Sequence, residues 1–461
     1  MTIAEGLAER IAGIRYEVLP PEALHWAKTA ILDTVGCTLA GSVEPCARIA
    51  ARVTTGGASN GPSLIFGTNR RAPPLDAALI NGTASHALDY DDVSNTLGGH
   101  PSAPLLPALF ALAETRDVDG RAFLTAFVAG FETETRIGRG VNFHHYEKGW
   151  HPTATLGVFG ATAACCQLLG LPVGKTAIAL GLAASFASGV KANFGTMTKP
   201  LHVGHCSRNG LFATMLAADG FTANPGSFEH KQGFLEVFNG AGHFDADAIL
   251  RDWGAPWDIV RPGVGIKQYP CCGSTHPAVD AMLALVKQHD VTPAMVVRVE
   301  SWTHPRRLAH TNRPEPNSDL DAKFSVQYCL ARALLERRVV LQHFEDDAYR
   351  AAAIRRLLPL IHAAPHPEMS TDSSEHFGAE VRVTLTDGRL LTHRVGSAIG
   401  RGSNDPLPAE LLEAKFLDCA SRVLPGGAAR RLLAMLRELE RVPHISDLTA
   451  AMLPPEAMAA E

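Results

Sequence analysis

The chain has 461 residues, 46% hydrophobic and 19% charged, which fits a packed globular protein of about two domains and excludes a disordered or fibrous chain. Its 42 Lys and Arg against 47 Asp and Glu give a net charge of −5 with no block of like charge, which excludes a nucleic-acid footprint or a charged tail. The nine cysteines are odd in number and include no CxxC pair, so free thiols in the cytoplasm are expected rather than a disulfide framework or a thiolate metal site.

The N-terminal stretch "MTIAEGLAERIAGIRYEVLPPEALHWA" is amphipathic and of mixed charge, without the apolar core of a secretion signal. Residues 20–41, "PPEALHWAKTAILDTVGCTLAG", open on prolines suited to a first helical turn and close on glycine. Helical spacing of apolar residues continues through "LDAALINGTASHALDY", "PSAPLLPALFALAETR", "DGRAFLTAFVAGFETETRIG", "HPTATLGVFGATAACCQLLG" and "PVGKTAIALGLAASFASGV". Several of these are apolar nearly all round, so they are expected among other helices. Gly, Pro and polar residues interrupt every apolar run, and no membrane span is expected.

The pattern changes after residue 266. "AMVVRVESWTH" (294–304) and "AEVRVTLTDGRLLTHRV" (379–395) alternate as strands do, and Asp387-Gly388 marks a hairpin turn. "VQYCLARALLERR" between them reads as helix, as do "PLPAELLEAKFLDCASRVL" and "AARRLLAMLRELERV" near the end. The predicted fold is mainly α. A large all-helical domain (1–265 and 401–461) is interrupted by a smaller α+β domain over 266–400.

Five stretches concentrate titratable residues: "HALDYDDVSNTLGGHPS" with Asp89, Asp91, Asp92, His86 and His100; "KGWHPTATLG" with His151; "GTMTKPLHVGHCSRNG" with Lys199, His202, His205 and Arg208; "GIKQYPCCGSTHPAVDAM" with Lys267, Tyr269, Cys271, Cys272 and His276; and "AKFSVQYCLA" with Ser325 and Tyr328. Each also has a structural reading. Asp92 and Ser102 suit helix caps, His100 before a proline suits a turn, and the lysines could lie along the surface. His202 and His205 are spaced as metal ligands could be, but no third ligand lies nearby in sequence, and adjacent Cys271 and Cys272 suit packing.

Taken together, "HALDYDD…HPS", "GWHPT", "KPLHVGHCSRNG…GFTANP", "KQYPCCGSTHPAVDA" and "FSVQY", all in order, resemble the successive motifs of the MmgE/PrpD family. That family includes 2-methylcitrate dehydratases, cis-aconitate decarboxylases and iminodisuccinate epimerases. The resemblance implies a helical domain with an inserted α+β domain, a homodimer, and a site between domains that needs no cofactor and no metal. It matches Asp89, His100, His151, Lys199, Lys267 and Tyr328 to pocket residues of the decarboxylase branch. Val93 and Cys272 stand where that branch has a threonine and a histidine, which counts against cis-aconitate itself.

The shared difficulty of such reactions is moving a proton at a carbon beside a carboxylate. Cations fixed in a low-dielectric cleft stabilise the charge that develops, which suits Lys199, Lys267 and, third, Arg208. His100 is the leading acid/base, His151 the second, and Asp89 an orienting group or the base itself. Tyr328, Arg208, Cys272 and His202 are expected to contact substrate. The leading expectation is elimination of water from a 2-methylcitrate-like acid in the cytoplasm, with decarboxylation or epimerisation as alternatives. An iron–sulfur hydratase lacks suitable cysteine spacing, no Gly-rich loop suggests a nucleotide or flavin, and a hydrolase using His202, His205 and an aspartate is a distant alternative.

Overall fold

The computed structural model describes residues 1–57, 60–369 and 378–455. Within the predicted C-terminal part, residues 456–461 lie outside the described residues. The chain forms two compact units, one of Met1–Ile266, Gly402–Asn404 and Pro408–Glu461, the other of Lys267–Arg401 and Asp405–Leu407. The fold is mainly α, and no helix among the described residues is long and apolar enough to cross a membrane.

The first unit is built of helices, with one small hairpin, β1 (Ser63–Leu64) against β2 (Arg71–Ala72), inside the stretch predicted as helical. Helix Pro21–Gly41 starts on its proline and buries nearly its whole second half. Helix Ser102–Ala113 buries every residue, as an apolar surface on all sides requires. The run 151–170 is not one helix: it breaks at Leu156 into Pro152–Thr155 and Gly157–Leu168. At that break Gly157 lies so close to Pro104 that a β-carbon would come within 2.6 Å of the proline ring.

One packing decides where the chemistry sits. Helices Pro74–Ser85 and Thr198–Ala218 cross at Gly82 and Gly204, where a β-carbon on Gly82 would approach the Gly204 Cα to 2.8 Å. A β-carbon on Gly204 would meet the Leu79 carbonyl at 2.3 Å. Only glycine allows this approach. It brings the first turn of the later helix beside the loop that follows Ser85.

The second unit holds a four-stranded sheet ordered β4-β3-β5-β6: β3 (Val296–Thr303), β4 (Ile361–Pro365), β5 (Ala379–Leu385) and β6 (Leu390–Val395). β5 alternates buried and half-buried residues along its length and pairs antiparallel with both β3 and β6. Asp387 and Gly388 form the turn, with Gly388 at φ +86. β4, which the sequence analysis did not foresee, pairs parallel with β3. It is a short edge strand ending in proline, with no clear alternation to announce it. Helices His276–His289 and Val326–Glu336 pack on the sheet and share its core, where Tyr328, Met282 and Val381 are buried.

Candidate active site

Helix Pro74–Ser85 ends at His86, and three residues later Asp89 takes a left-handed backbone at φ +53. Aspartate tolerates that conformation better than most residues, and the chain turns there. The loop is tied down at several points. Val93 exchanges both backbone hydrogen bonds with Gly265 at 2.7 Å. Asp92 accepts from the Ser102 backbone N–H at 3.2 Å and from its hydroxyl at 2.5 Å, so Asp92 serves this helix start while Ser102, expected as a cap, is the first helical residue and donates to it.

Inside this loop the side chains form one buried chain of contacts. Lys199 Nζ donates to Asp89 Oδ1 at 2.7 Å, and His100 Nε2 lies 3.5 Å from the same oxygen. His100 Nδ1 lies 3.1 Å from Asp91 Oδ2. Asp91 also accepts from His86 Nδ1 at 2.8 and 2.9 Å, which fixes the His86 proton on Nδ1 and leaves its buried Nε2 without a hydrogen-bond partner. Lys199 sits in the first turn of its helix, where the helix dipole disfavours a cation, and Asp89 supplies the opposing charge.

The environment sets the charges. Burial raises the Asp91 carboxyl, but the two imidazoles beside it outweigh that and hold it well below the usual carboxylate range. Burial pushes His86 down to about 3 despite Asp91, so it stays neutral. His151 is held well below the imidazole range, first by burial and then by Lys199 and the neighbouring histidines. Behind this row burial raises Asp92 and Glu134 well above the carboxylate range, helped by charge from Asp33 and Asp91 on Asp92 and from Asp92 on Glu134. The site thus sets an ionised Asp91 carboxylate and a lysine ammonium beside the neutral His86 and His151 imidazoles, with protonated acids deeper in the core.

Of the residues singled out in sequence, the structure brings Asp89, His100 and Lys199 into direct contact. His151 joins by ring packing: it lies 5.7 Å from His86 and 4.9 Å from Phe194, and its Nδ1 is 3.3 Å from His202 Nδ1. His205 is exposed and meets Ser188 and Asn209 instead. Arg208 is half-buried two turns beyond Lys199, and its Nε has no hydrogen-bond partner. In the second unit Lys267 is buried, and its Cε lies 3.6 Å from where a Gly273 β-carbon would stand. Cys272 is buried on the same loop, its N–H bonded to the Lys323 carbonyl. Tyr328 is fully buried in that unit's core, its hydroxyl donating to the His343 carbonyl and accepting from Arg332 Nε at 2.9 Å.

His86 and Asp91 were not chosen from sequence as site residues, although both lie in the quoted motif. The available signal was the dense DYDD run itself, with a histidine five residues before Asp91. Among the described residues, His86, Asp89, Asp91 and His100 are also the group that could hold a metal ion, with ligand atoms within 4.8 Å of one another. The Lys199 ammonium already opposes Asp89 in that group, and neither His202 nor His205 belongs to it, so the distant hydrolase reading loses its ligand set.

Comparison with known proteins gives matches along almost the whole chain. Residues 5–247 match the MmgE/PrpD N-terminal domain and residues 269–441 the MmgE/PrpD C-terminal domain. The cis-aconitate decarboxylase of Homo sapiens is 30% identical, covering 98% of this chain and 95% of its own. The cis-aconitate decarboxylase of Aspergillus terreus is 27% identical over 93% of this chain and 91% of its own. The 2-methylcitrate dehydratase of Salmonella typhimurium is 24% identical over 91% of this chain and 90% of its own.

Proposed function

The chain belongs to the MmgE/PrpD family and is a lyase of that type, and we propose that it decarboxylates a small unsaturated tricarboxylate such as cis-aconitate. Water elimination from a 2-methylcitrate-like acid, the leading expectation from sequence, takes second place. The support for this order is the higher identity to decarboxylases, 30% against 24% for the dehydratase, each over at least nine-tenths of the chain, which we weigh above the departures at Val93 and Cys272.

The observation that carries the mechanism is the buried sequence Lys199–Asp89–His100–Asp91–His86. Lys199 binds a substrate carboxylate and stabilises the negative charge that grows as the carbon–carboxylate bond breaks. The electron pair of that bond passes into the conjugated unsaturated carboxylate, and carbon dioxide leaves. A proton from His100 closes the new C–H bond, and water restores the proton to the imidazole. Asp91, held ionised and shared with His86, orients His100 for this transfer. His151 is the second candidate for the proton.

The protein is further proposed to be a cytoplasmic homodimer formed through its helical unit. Leu201, Phe212 and Met215 stand 37–41% exposed along helix Thr198–Ala218, at spacings that place them on one side. All nine cysteines are free, as in a reducing compartment. A monomeric mass by light scattering at micromolar concentration would overturn the dimer. For the reaction, cis-aconitate in deuterated water, followed by NMR, should give carbon dioxide and a product carrying one deuterium on carbon. Turnover of 2-methylcitrate with no decarboxylation of cis-aconitate would restore the dehydratase reading.

A further inference from the structure

We infer that Lys415, on a helix near the end of the chain, is a positioning residue for the acidic loop of the active site; this rests on the proposed acid/base role of that loop. Lys415 lies on helix Ala409–Ala420, which packs against helix Pro21–Gly41. It is only 7% exposed. Its Nζ donates to the Tyr90 carbonyl at 2.7 Å, lies 2.6 Å from Asp33 Oδ1, and sits 3.9 Å from the centre of the Tyr90 ring. One cation therefore grips Tyr90 by its peptide oxygen and by its ring face.

Tyr90 separates the two carboxylates that matter. On one side is Asp89, in left-handed backbone and bonded to Lys199; on the other is Asp91, shared between His86 and His100. Fixing the carbonyl of Tyr90 fixes the peptide that joins it to Asp91, and with it the divergence of the two side chains. Asp33, 1% exposed, helps explain why a lysine can be buried here: burial would lower the ammonium, but the charge and hydrogen bond of Asp33, together with Cys37 and Cys419, outweigh it and the Lys415 pKa is raised. The same pairing keeps the Asp33 charge, which acts on Asp92, from standing alone beneath the loop. The segment that follows the second unit thus serves the site made by the segment before it.

The test compares a variant that removes the grip and both buried charges with a control that keeps the grip. The control, Asp33→Asn, removes the counter-charge but keeps an acceptor for Lys415 and leaves the Tyr90 contact, so kcat should stay within about threefold of wild type. Asp33→Asn/Lys415→Met removes both charges together and should fold, yet lose 10- to 100-fold in kcat with KM changed less than threefold. Its His86 and His100 imidazole signals should titrate differently by NMR. Lys415→Arg keeps the cation but replaces its compact head with a broad one; it is expected to fold and to shift the same imidazole signals in part, and it decides the matter if the double variant does not fold. A folded double variant with the kcat and imidazole titration of Asp33→Asn would overturn the inference, as would an unaltered titration in Lys415→Arg. The imidazole readout needs no substrate. If wild type turns over no carboxylate, the functional proposal fails while the positioning role is still decided.

Discussion

Replacing His86 by glutamine should make the helical unit less sensitive to acid. His86 is fully buried and its pKa falls from an ordinary 6.5 to about 3. The unfolded chain therefore takes up a proton near pH 6.5 that the native protein refuses until about pH 3. Between those values the unfolded state binds more protons, so stability is full above pH 6.5 and falls as pH drops. At about 1.4 kcal/mol per unit the loss from this group reaches roughly 5 kcal/mol by pH 3, and about 3 kcal/mol by pH 4.5. Glutamine keeps a donor toward Asp91 but cannot protonate. Four of the five tryptophans, Trp26, Trp150, Trp253 and Trp257, lie in the first unit, so urea unfolding followed by their fluorescence reads that unit. Between pH 7 and pH 4.5 His86→Gln should lose about 2–3 kcal/mol less stability than wild type. His151, whose pKa is also lowered by burial, is present in both proteins and largely cancels. Equal losses in the two proteins would refute the claim that His86 is held neutral by burial.

Three further outcomes test the chemistry. His100→Ala should lower kcat by roughly 10²–10⁴-fold while binding a tricarboxylate analogue nearly normally, and should stop deuterium incorporation; weak binding with intact turnover would make His100 a binding residue. Lys199→Ala should weaken the analogue by about 1.5–3 kcal/mol by calorimetry, a charge-assisted contact, and unchanged affinity would remove Lys199 from the binding role. Exhaustive chelation should leave turnover intact; loss restored by a divalent cation would instead assign a metal to His86, Asp89, Asp91 and His100.

The amino-acid sequence by itself determined the elements and the class of fold. Apolar spacing marks helices such as Pro21–Gly41 and Gly120–Val141, and alternation with Asp-Gly marks the hairpin of β5 and β6, because these patterns record which face of a local segment is buried. It also supplied the motifs that carry the family, and with them Asp89, His100, His151 and Lys199. Tertiary structure alone decided how those residues act. The Lys199–Asp89 contact joins residues 110 apart, and Lys415 reaches Tyr90 across 325, through helix crossings that no local pattern encodes. β4 becomes a strand only because β3 offers it an edge. Charge followed the same rule: Asp91 and Asp92 are neighbours of one residue type, yet one is held ionised by two imidazoles while the other is buried toward Glu134 and raised. Sequence names the ionisable groups, but desolvation and neighbours set their protonation, and both are properties of the packed chain.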